Sequence, residues 1–388
     1  MLFFLWSCDA TDAPAVRQTF ARLPSTGRVL TVDPAGAAEF TDIVSALADA
    51  TSGDTIEVAP GQYYGAVDFT GKAVHILSTA GPASTWIYAT PGQPAVVAKN
   101  GEGRGATLEG FTITGGGGLL EPVVDQSFSS LTLRDVNFTG NAGRVIVYAR
   151  SAMVTLERVD IAADNTAFDG WVIEGRRGML AVKDSTIACG SSGVGYLMEH
   201  GAAFLDGNRF DCAGASAAQI FHANGRVSRT VFDGQLYVEN EEVGEEPTTI
   251  EGSVMLGGIV LVRGTVNVYN AVVTGGGISV AYGQLVMHSS VIFGNACGIS
   301  DERSTVSTGV NLFFENGANA CGFDDPVGSN GNITGDPLFV DVAARDFHLT
   351  AGSPAVDAGS SAATFFDLDG SRNDMGAYGG PFTVEGGW

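Results

Sequence analysis

Positive charge is scarce in this chain, whose 388 residues include 20 lysines and arginines against 43 aspartates and glutamates. The formal net charge of −23 should repel nucleic acid and anionic membranes, so we expect neither as a partner. An acidic polysaccharide would be repelled as well, unless a divalent cation bridged it to the protein. Long apolar runs are also missing: no stretch reaches about 18 apolar residues, so the sequence predicts no transmembrane helix.

The N-terminal segment lacks the basic residues that usually open a signal peptide. Residues 5–8 nevertheless read Leu-Trp-Ser-Cys, which resembles a bacterial lipobox. We therefore expect residues 1–27 to be a signal-like segment and linker, with Cys8 lipidated and the protein exported to the periplasm, the outer cell surface or the medium. A single lipid on Cys8 would act as a tether and would be the chain's contact with a membrane. The alternative is a short apolar N-terminus with a chance cysteine.

A repeat of about 23 residues is the strongest pattern in the chain. Residues 106–114, 130–139 and 153–161 each alternate apolar and polar residues and then turn at Gly, Asn or Asp. Such alternation predicts a strand, and its recurrence predicts strands that stack into a solenoid. The first apolar residue of each phrase serves as its anchor, and the anchors are Leu108, Leu133, Leu156, Val182, Leu205, Val227, Ile250, Val268, Met287 and Val310.

This spacing favours an all-β fold, a single-stranded right-handed parallel β-helix of about ten or more coils. Leucine-rich repeats, hexapeptide helices and propeller blades have other spacings. The 54 glycines suit the tight corners that each coil needs. We assign residues 28–90 to an N-terminal cap and the first coils, 91–325 to the coils and 326–388 to a C-terminal capping tail.

Both ends of such a solenoid need a cover, because an end coil exposes apolar side chains and free strand edges. Residues 39–51 place Phe40, Ile43, Val44 and Leu47 at helical spacing, which predicts a short amphipathic helix before the first coil. The tail beyond residue 326 is rich in Gly, Asp and Pro and should close the other end irregularly.

Four cysteines test the predicted stacking. Cys189 and Cys212 both lie two residues after the last apolar residue of their phrases, one coil apart. Cys297 and Cys321 repeat this arrangement within matching Asn-Ala-Cys-Gly motifs. Stacked residues on neighbouring coils lie about 4.8 Å apart, within reach of a disulfide. We predict the pairs Cys189–Cys212 and Cys297–Cys321, formed in an oxidising compartment; the alternative is four buried free thiols.

Both ends of the chain resemble known proteins. The opening motif Gly53-Asp-Thr-Ile-Glu-Val-Ala-Pro-Gly-Gln-Tyr63, together with residues 335–339, 352–359 and 367–380 of the tail, resembles exported bacterial β-helix repeat proteins of the pectin-lyase-like superfamily. The resemblance implies a right-handed parallel β-helix and export. That group contains polysaccharide lyases, hydrolases, esterases and adhesins, so the fold alone does not fix an activity. The Gly-His-Gly block of polygalacturonases and the paired Gln and Asp blocks of pectin methylesterases are missing.

One column of residues on the solenoid could carry chemistry. If coils are aligned on a glycine that opens each second strand, Glu174, Glu199 and His222 fall at one position on three consecutive coils. Two neighbouring carboxylates could act as general acid and base, or bind a cation with the histidine. The competing interpretation is a surface ladder or a structural ion pair. Further residues near this column could bind a ligand, and they are Arg176, Arg177, His200, Glu239 and Arg263.

The position next to this column is apolar on every coil. Either these side chains point outward and need to be covered by another segment or a partner, or they point into the core and the neighbouring positions point outward. Its members are Ile146, Ile173, Met198, Phe221, Tyr237, Leu261 and Val280.

A cluster of acidic residues in the tail could hold calcium. Asp367, Asp369 and Asp374 surround a glycine turn, and carboxylate oxygens are ligands that Ca²⁺ prefers. The spacing does not complete an EF-hand loop, so a capping turn paired with Arg372 is the alternative. Calcium is the one cofactor that the sequence suggests.

Three functions remain open from the sequence. The first is an exported scaffold that binds a polysaccharide or a cell-surface glycan. The second is a polysaccharide lyase or glycoside hydrolase that uses Glu174, Glu199 and His222. The third is a purely structural surface protein.

Overall fold

The computed structural model describes residues 27–190, 193–240 and 246–381. It is an all-β parallel solenoid of about 13 coils with 3% helix, which confirms the predicted parallel β-helix. Cys8 and the lipobox-like segment lie outside the described residues, so their assignment stays a prediction. No helix in the described ranges is long and apolar enough to cross a membrane.

Each coil contributes strands to three faces, which we number in chain order within a coil. Strands confined to the first face are Val29–Val32, Thr55–Val58, His75–Ser78, Thr107–Glu109, Ser130–Arg134, Gln284–His288 and Thr305–Gly309. Those confined to the second face are Gly61–Tyr64, Thr85–Tyr88, Thr112–Thr114, Asn137–Phe138, Asp160–Ile161, Thr186–Ala188, Val291–Phe293, Leu312–Phe314 and Ile333–Thr334. Those confined to the third are Val67–Asp68, Val96–Ala98, Val124–Ser127, Ile259–Val262, Ile278–Ala281, Ile299–Glu302 and Ala320–Cys321.

Longer strands run around a corner from one face to the next. They are Val147–Glu157, Trp171–Lys183, Val194–Asp206, Arg209–Ser228, Val231–Glu239, Thr248–Met255 and Thr265–Val273. Two small sheets stand apart from this arrangement: Ala142–Gly143 pairs with Thr166–Ala167 in parallel, and Phe339–Asp341 pairs with Asp346–Leu349 in antiparallel orientation.

The anchors predicted from the repeat stack as expected along the first face. Leu108 pairs with Leu133, which pairs with Leu156, and the series continues coil by coil to Met287. These side chains are at most 1% exposed and form the core. The last anchor was wrong: Met287 pairs with Thr308, and Val310 lies at the following corner with a positive φ of 49°.

A ladder of buried polar side chains runs along the corner between the first and second faces. The backbone N–H of Ser185 donates to Asn208 Oδ1 (3.1 Å), and Asn208 in turn donates its N–H to Thr230 Oγ1 (3.4 Å). Further along, Ser290 N–H donates to Asn311 Oδ1 (2.9 Å), and Asn311 N–H donates to Asn332 Oδ1 (3.0 Å). Because buried polar groups are costly when unpaired, each step of the ladder specifies which residue must lie above which.

Both predicted disulfides are present. Cys189 and Cys212 are joined with their Cα atoms 5.0 Å apart, and Cys297 and Cys321 with theirs 6.3 Å apart. Each bond links adjacent coils at the corner between the second and third faces.

The predicted N-terminal helix is confirmed, though it is shorter than residues 39–51. Helix α1 spans Ile43–Asp49 and buries Ile43, Ala46 and Leu47 against the first coils. It begins where it does because Asp42 accepts a hydrogen bond from the N–H of Ser45 (2.7 Å), which is a typical N-cap.

The irregular C-terminal tail is also present, but it lies along the second face instead of only closing the end. The reason is visible in one outward-facing column of that face, which is mainly polar in the first coils and apolar in the last. In order, the column consists of Gln62, Trp86, Thr112, Asn137, Asp160, Thr186, Arg209, Val231, Val254, Val272, Val291, Leu312 and Ile333. An apolar row of this length cannot stay exposed to water without cost.

The tail covers the apolar half of this column. Phe347, Ala355, Met375 and Ala377 form a second buried cluster with the valines of the column. Polar contacts fasten the tail at its sides, since Arg345 pairs with Asp233 (2.6 Å) and Asn373 Nδ2 donates to Asn270 Oδ1 (3.1 Å). At the end of the solenoid, Phe323 and Val327 pack on the main core.

We predict that the polar ladder contributes measurably to stability. In Asn208→Ala the buried N–H of Ser185 loses its acceptor, which should lower the free energy of unfolding by about 1–3 kcal/mol. Urea denaturation followed by circular dichroism measures the change. Asn224→Ala, at an exposed position on the strand that begins directly after Asn208, is the matched control and should change stability by less than about 0.5 kcal/mol. Equal effects in both variants would contradict the role of the ladder.

Candidate functional site

Glu174, Glu199 and His222 do not form the single column that the sequence predicted. Glu174 pairs with Tyr148 and Leu197, whereas Glu199 pairs with Arg176 and Phe221. The alignment was wrong because the opening glycines are not equivalent. Trp171 pairs with Val194. Gly170 lies one residue before Trp171, whereas Gly195 lies one residue after Val194, so an alignment of the two glycines is wrong by two positions.

Glu174 is the buried centre of a charge network on the third face. Its side chain is 1% exposed, and its Oε2 lies 3.2 Å from Nη1 of Arg144. Arg176 donates to the other carboxylate oxygen, and this hydrogen bond raises the pKa of Arg176. Arg144 also lies over the ring of Tyr148, 4.4 Å from its centre. Two guanidinium groups thus compensate the one buried carboxylate.

The two glutamates share a cation. Arg176 Nη1 lies 3.2 Å from Glu199 Oε2 while its Nε donates to Glu174. A general acid and a general base need different environments that separate their pKa values. Here both carboxylates are tied to one guanidinium, so the arrangement favours the structural ion pair over the catalytic pair. Their catalytic role stays a prediction without support from the geometry.

The other residues predicted around this site lie beside it. His200 stacks on His222 with ring centres 5.0 Å apart, and its Nε2 is 4.0 Å from Glu199. Further along the face, Glu239 accepts a hydrogen bond from the hydroxyl of Tyr237 (2.7 Å) and lies 3.7 Å from Arg263. Arg176 and Arg263 each lie beside a glutamate of this face, and His200 lies between Glu199 and His222.

The neighbouring apolar stripe belongs to the core, except at two coils. Ile146, Ile173, Met198, Leu261 and Val280 are buried in the main cluster, so the core-facing alternative was the correct interpretation for them. Phe221 and Tyr237 face outward and pack on each other with ring centres 5.2 Å apart. On these coils the core column passes through the adjacent residues Ile220 and Val238, because Met198 pairs with Ile220 and Val238 pairs with Leu261.

The acidic residues of the tail are occupied by hydrogen bonds of the chain itself. Asp367 accepts from the N–H groups of Asp374 and Gly380, and Asp369 accepts from Ser371 in its own turn. Asp374 accepts from the N–H of Asp357 (2.6 Å). Within the described ranges, no group of three or more His, Cys, Asp or Glu side chains is placed to hold a metal. The calcium prediction gains no support from this arrangement.

Arg372, the suggested partner of these carboxylates, is used differently. Its guanidinium donates to the carbonyl oxygens of Ala358 and Gly359, at distances of 2.6–3.3 Å. It therefore closes the loop that leads into the acidic turn.

Sequence reasoning missed an aromatic platform, formed by Tyr64, Trp86 and Tyr88 on the second face. Tyr64 and Tyr88 lie on adjacent coils with ring centres 5.4 Å apart and planes 24° apart. Trp86 and Tyr88 lie on one strand with ring centres 6.1 Å apart and planes 22° apart. Tyr64 is 69% exposed. The three rings thus form one outward-facing, nearly parallel aromatic cluster, in which Tyr64 is exposed and Trp86 and Tyr88 are half-buried.

Strand alternation explains why these rings face outward. In Thr85–Tyr88 the side chains of Thr85 and Ile87 are buried, so Trp86 and Tyr88 must point away from the core. In the coil before, Tyr63 is buried and donates its hydroxyl to the carbonyl of Ala59 (2.8 Å), which leaves Tyr64 outside. The signal was available in the sequence: aromatic residues at outward positions of two strands one coil apart.

Polar groups border the platform on both sides. Gln62 pairs with Trp86 and receives a hydrogen bond from the hydroxyl of Tyr64 (2.9 Å). On the next coils Thr114 continues the row of Tyr88, and Asn137 and Asp160 continue the row of Trp86. Thr112, which lies between them in the row of Trp86, is buried and donates to the carbonyl of Pro82 (2.8 Å).

Comparison with known proteins gives one informative result. No protein-family model matches the chain, and no curated protein matches it. Among solved structures, it is similar to one titled "Crystal structure of pectate lyase Pel9A", with a TM-score of 0.34 and 14% sequence identity. The match covers 91% of this chain and 96% of that chain. At this level the similarity concerns the β-helix architecture alone.

We predict that Asp367 makes the tail less stable as pH rises from about 4 to about 6. Burial raises the pKa of this carboxyl from 3.8 to about 6. In that window the folded chain holds the proton more tightly than the unfolded chain, so stability falls as pH rises. Because the side chain is half-exposed, solvent screening reduces the loss to on the order of 1 kcal/mol. Asp367→Asn removes this dependence and keeps an acceptor for Asp374 N–H.

Urea unfolding at several pH values between about 4 and 7, followed by tryptophan fluorescence, measures the slope. Asp369→Asn is the control, because hydrogen bonds from Ser371 lower the pKa of Asp369 and its contribution falls below this window. Parallel pH profiles for the parent protein and Asp367→Asn would rule out the proposed cause.

Proposed function

We propose that this protein is an exported β-helix that binds a polysaccharide, and that the bound chain lies on the aromatic platform. The observation that carries the proposal is the set of three outward-facing, nearly parallel rings, of which Tyr64 is exposed and Trp86 and Tyr88 are half-buried. Exposed aromatic surface of this kind is costly in water, and it marks a binding surface. The C–H faces of sugar rings are flat and apolar, so they stack on such a surface.

The surroundings of the platform suit a sugar chain. Hydroxyl groups at the edges of sugar rings need hydrogen-bond partners, which Gln62, Thr114 and Asn137 provide beside the rings. Adjacent coils are about 4.8 Å apart, similar to the length of one sugar unit, so successive coils can contact successive sugars. A polysaccharide bound along the axis of the solenoid would thus contact the aromatic rings on the first coils and the polar side chains on the following coils.

The compartment fits this interpretation. Two disulfides connect adjacent coils, and disulfides form and persist mainly in oxidising compartments outside the cytosol. A polysaccharide-binding protein needs to act there, because its ligand is outside the cell.

Catalysis at Glu174 and Glu199 is the weaker alternative. Glu174 is buried under Arg144, and both glutamates form ion pairs with the same guanidinium of Arg176, which does not separate them into an acid and a base. Binding without cleavage is therefore the function that the geometry supports best.

We predict that Tyr64→Ala and Trp86→Ala each weaken polysaccharide binding by about ten-fold, because loss of one stacked ring removes about 1.4 kcal/mol of contact. Affinity electrophoresis of the purified protein against a panel of neutral and acidic polysaccharides gives the dissociation constants. Stability should change little for Tyr64→Ala, since that side chain is exposed.

Tyr282→Ala is the matched control, because this tyrosine is 51% exposed at a different part of the solenoid. Its affinity should equal that of the parent protein. The proposal fails if no polysaccharide in the panel is retarded, or if Tyr282→Ala weakens binding as much as Tyr64→Ala. Release of unsaturated or reducing ends, abolished in Glu199→Gln, would instead establish the catalytic alternative.

A further inference from the structure

The tail lines a cavity that is partly open to solvent and lies apart from the platform. It has a volume of about 170 Å³ and lies between the strand Asp346–Leu349 and the segment 374–379. A single buried water needs roughly 10–15 Å³ of such space, so the cavity can hold a small organic molecule. Its walls are formed by Phe347, His348, Leu349, Asp374, Met375, Gly376, Tyr378 and Gly379.

One wall is an imidazole with a fixed orientation. His348 Nδ1 lies 2.6 Å from Asp346 Oδ1, and the ring stacks on Tyr378 with centres 3.7 Å apart. The hydrogen bond from His348 lowers the pKa of Asp346, so this carboxylate stays ionised and accepts the Nδ1 proton. In the neutral imidazole the lone pair is then on Nε2. Within the described part of the chain, Nε2 has no hydrogen-bond partner.

The second polar group in the cavity is a carboxylate. Asp374 accepts a hydrogen bond from the N–H of Asp357, and no lysine or arginine among the described residues forms an ion pair with it. Its pKa is raised by burial. The cavity therefore offers hydrogen-bond acceptors and negative charge, next to the side chains of Tyr378, Phe347 and Leu349.

These features define the ligand. It must donate hydrogen bonds to Asp374 and His348, present an apolar face to Tyr378 and fit into a space for one small ring. We propose that the tail cavity binds a single sugar residue with hydroxyl or ammonium donors, in contact with His348, Asp374 and Tyr378. A sugar acid is excluded, because its carboxylate would meet the negative charge of Asp374 and Asp346.

The residues that form the cavity are different from those of the platform. Only the choice of sugars as the ligand class rests on the proposed function. Cavity and platform also differ in what they contact. The platform presents a row of outward-facing rings to an extended chain, whereas the cavity has room for one residue or the end of a chain.

Saturation-transfer NMR with millimolar glucosamine, glucose and galacturonate tests the proposal. Glucosamine and glucose should receive saturation from the protein, glucosamine most strongly, and galacturonate should receive none. In the parent protein the ¹⁵N resonance of His348 Nε2 should shift when glucosamine is added. Equal saturation of galacturonate, or no saturation of any of the three, overturns the proposal.

Variants locate the bound sugar. His348→Ala should weaken glucosamine binding by about ten-fold, because it removes an acceptor and part of the wall. Asp374→Asn should weaken glucosamine more than glucose, because it removes only the charge. Asp369→Asn, an exposed tail residue outside the cavity, is the matched control and should bind like the parent protein.

Trp86→Ala separates this proposal from the proposed function. If glucosamine binding survives in Trp86→Ala but is lost in His348→Ala, the sugar occupies the cavity whatever the platform does. If binding is lost in Trp86→Ala and retained in His348→Ala, the sugar occupies the platform and the cavity proposal is wrong. Should His348→Ala release the tail, seen as new binding of a hydrophobic dye, His348→Gln gives the same comparison with the tail in place.

Discussion

Residue-by-residue pairing between neighbouring coils is the constraint on which the rest of this structure depends. Side chains alternate between core and solvent along every strand, so a slip of one residue would bury the polar positions and expose the core. The buried ladder through Ser185, Asn208 and Thr230 opposes such a slip, because each backbone N–H finds its acceptor only in the correct alignment. The two disulfides fix the same alignment covalently.

Correct pairing also creates the columns that shape the surface. On the second face one column begins with polar and aromatic residues, and its second half is apolar from Val231 to Ile333. The apolar half needs a cover, which the tail supplies through Phe347 and Met375. The described part of the tail does not cover the first half of the column, which contains Trp86 and runs beside the row of Tyr64 and Tyr88. The tail therefore covers the second face only where the residues of this column change from mainly polar to apolar.

Features that repeat with a constant period could be predicted from the sequence alone. Leu108, Leu133 and Leu156 could be aligned because the corner after the first face is short and nearly constant, and the cysteine pairs followed from the same spacing. The third face was less predictable, because the loops that lead to it differ in length from coil to coil. Gly170 has a positive φ of 84° outside the strand, whereas Gly195 lies inside the next strand against Phe210 and Cys212. Aligning these two glycines displaced Glu174 from its true neighbours.

The candidate site shows a second reason why chemistry is harder to predict than fold. A glutamate in a column suggests a catalyst, yet the same residue becomes structural when arginines from other positions reach it. Arg144 approaches Glu174 from the preceding coil and Arg176 from the same strand, and neither contact follows from a periodic pattern. Tyr64, Trp86 and Tyr88 gave a simpler signal, since alternation alone determines that they face outward.

Charge then limits the ligands that this protein can take. The net charge of −23 disfavours the binding of anions. The platform consists of Tyr64, Trp86 and Tyr88, and the lining residues of the tail cavity contain no lysine or arginine that could offset this negative charge. Affinity at both places must come from apolar stacking and from hydrogen bonds to neutral or cationic donors. Arg144 and Arg176 on the third face do not alter this, because they are already paired with Glu174 and its neighbours. The electrostatics of the molecule and the geometry of its two candidate surfaces therefore favour the same ligands, which are sugars without acidic groups.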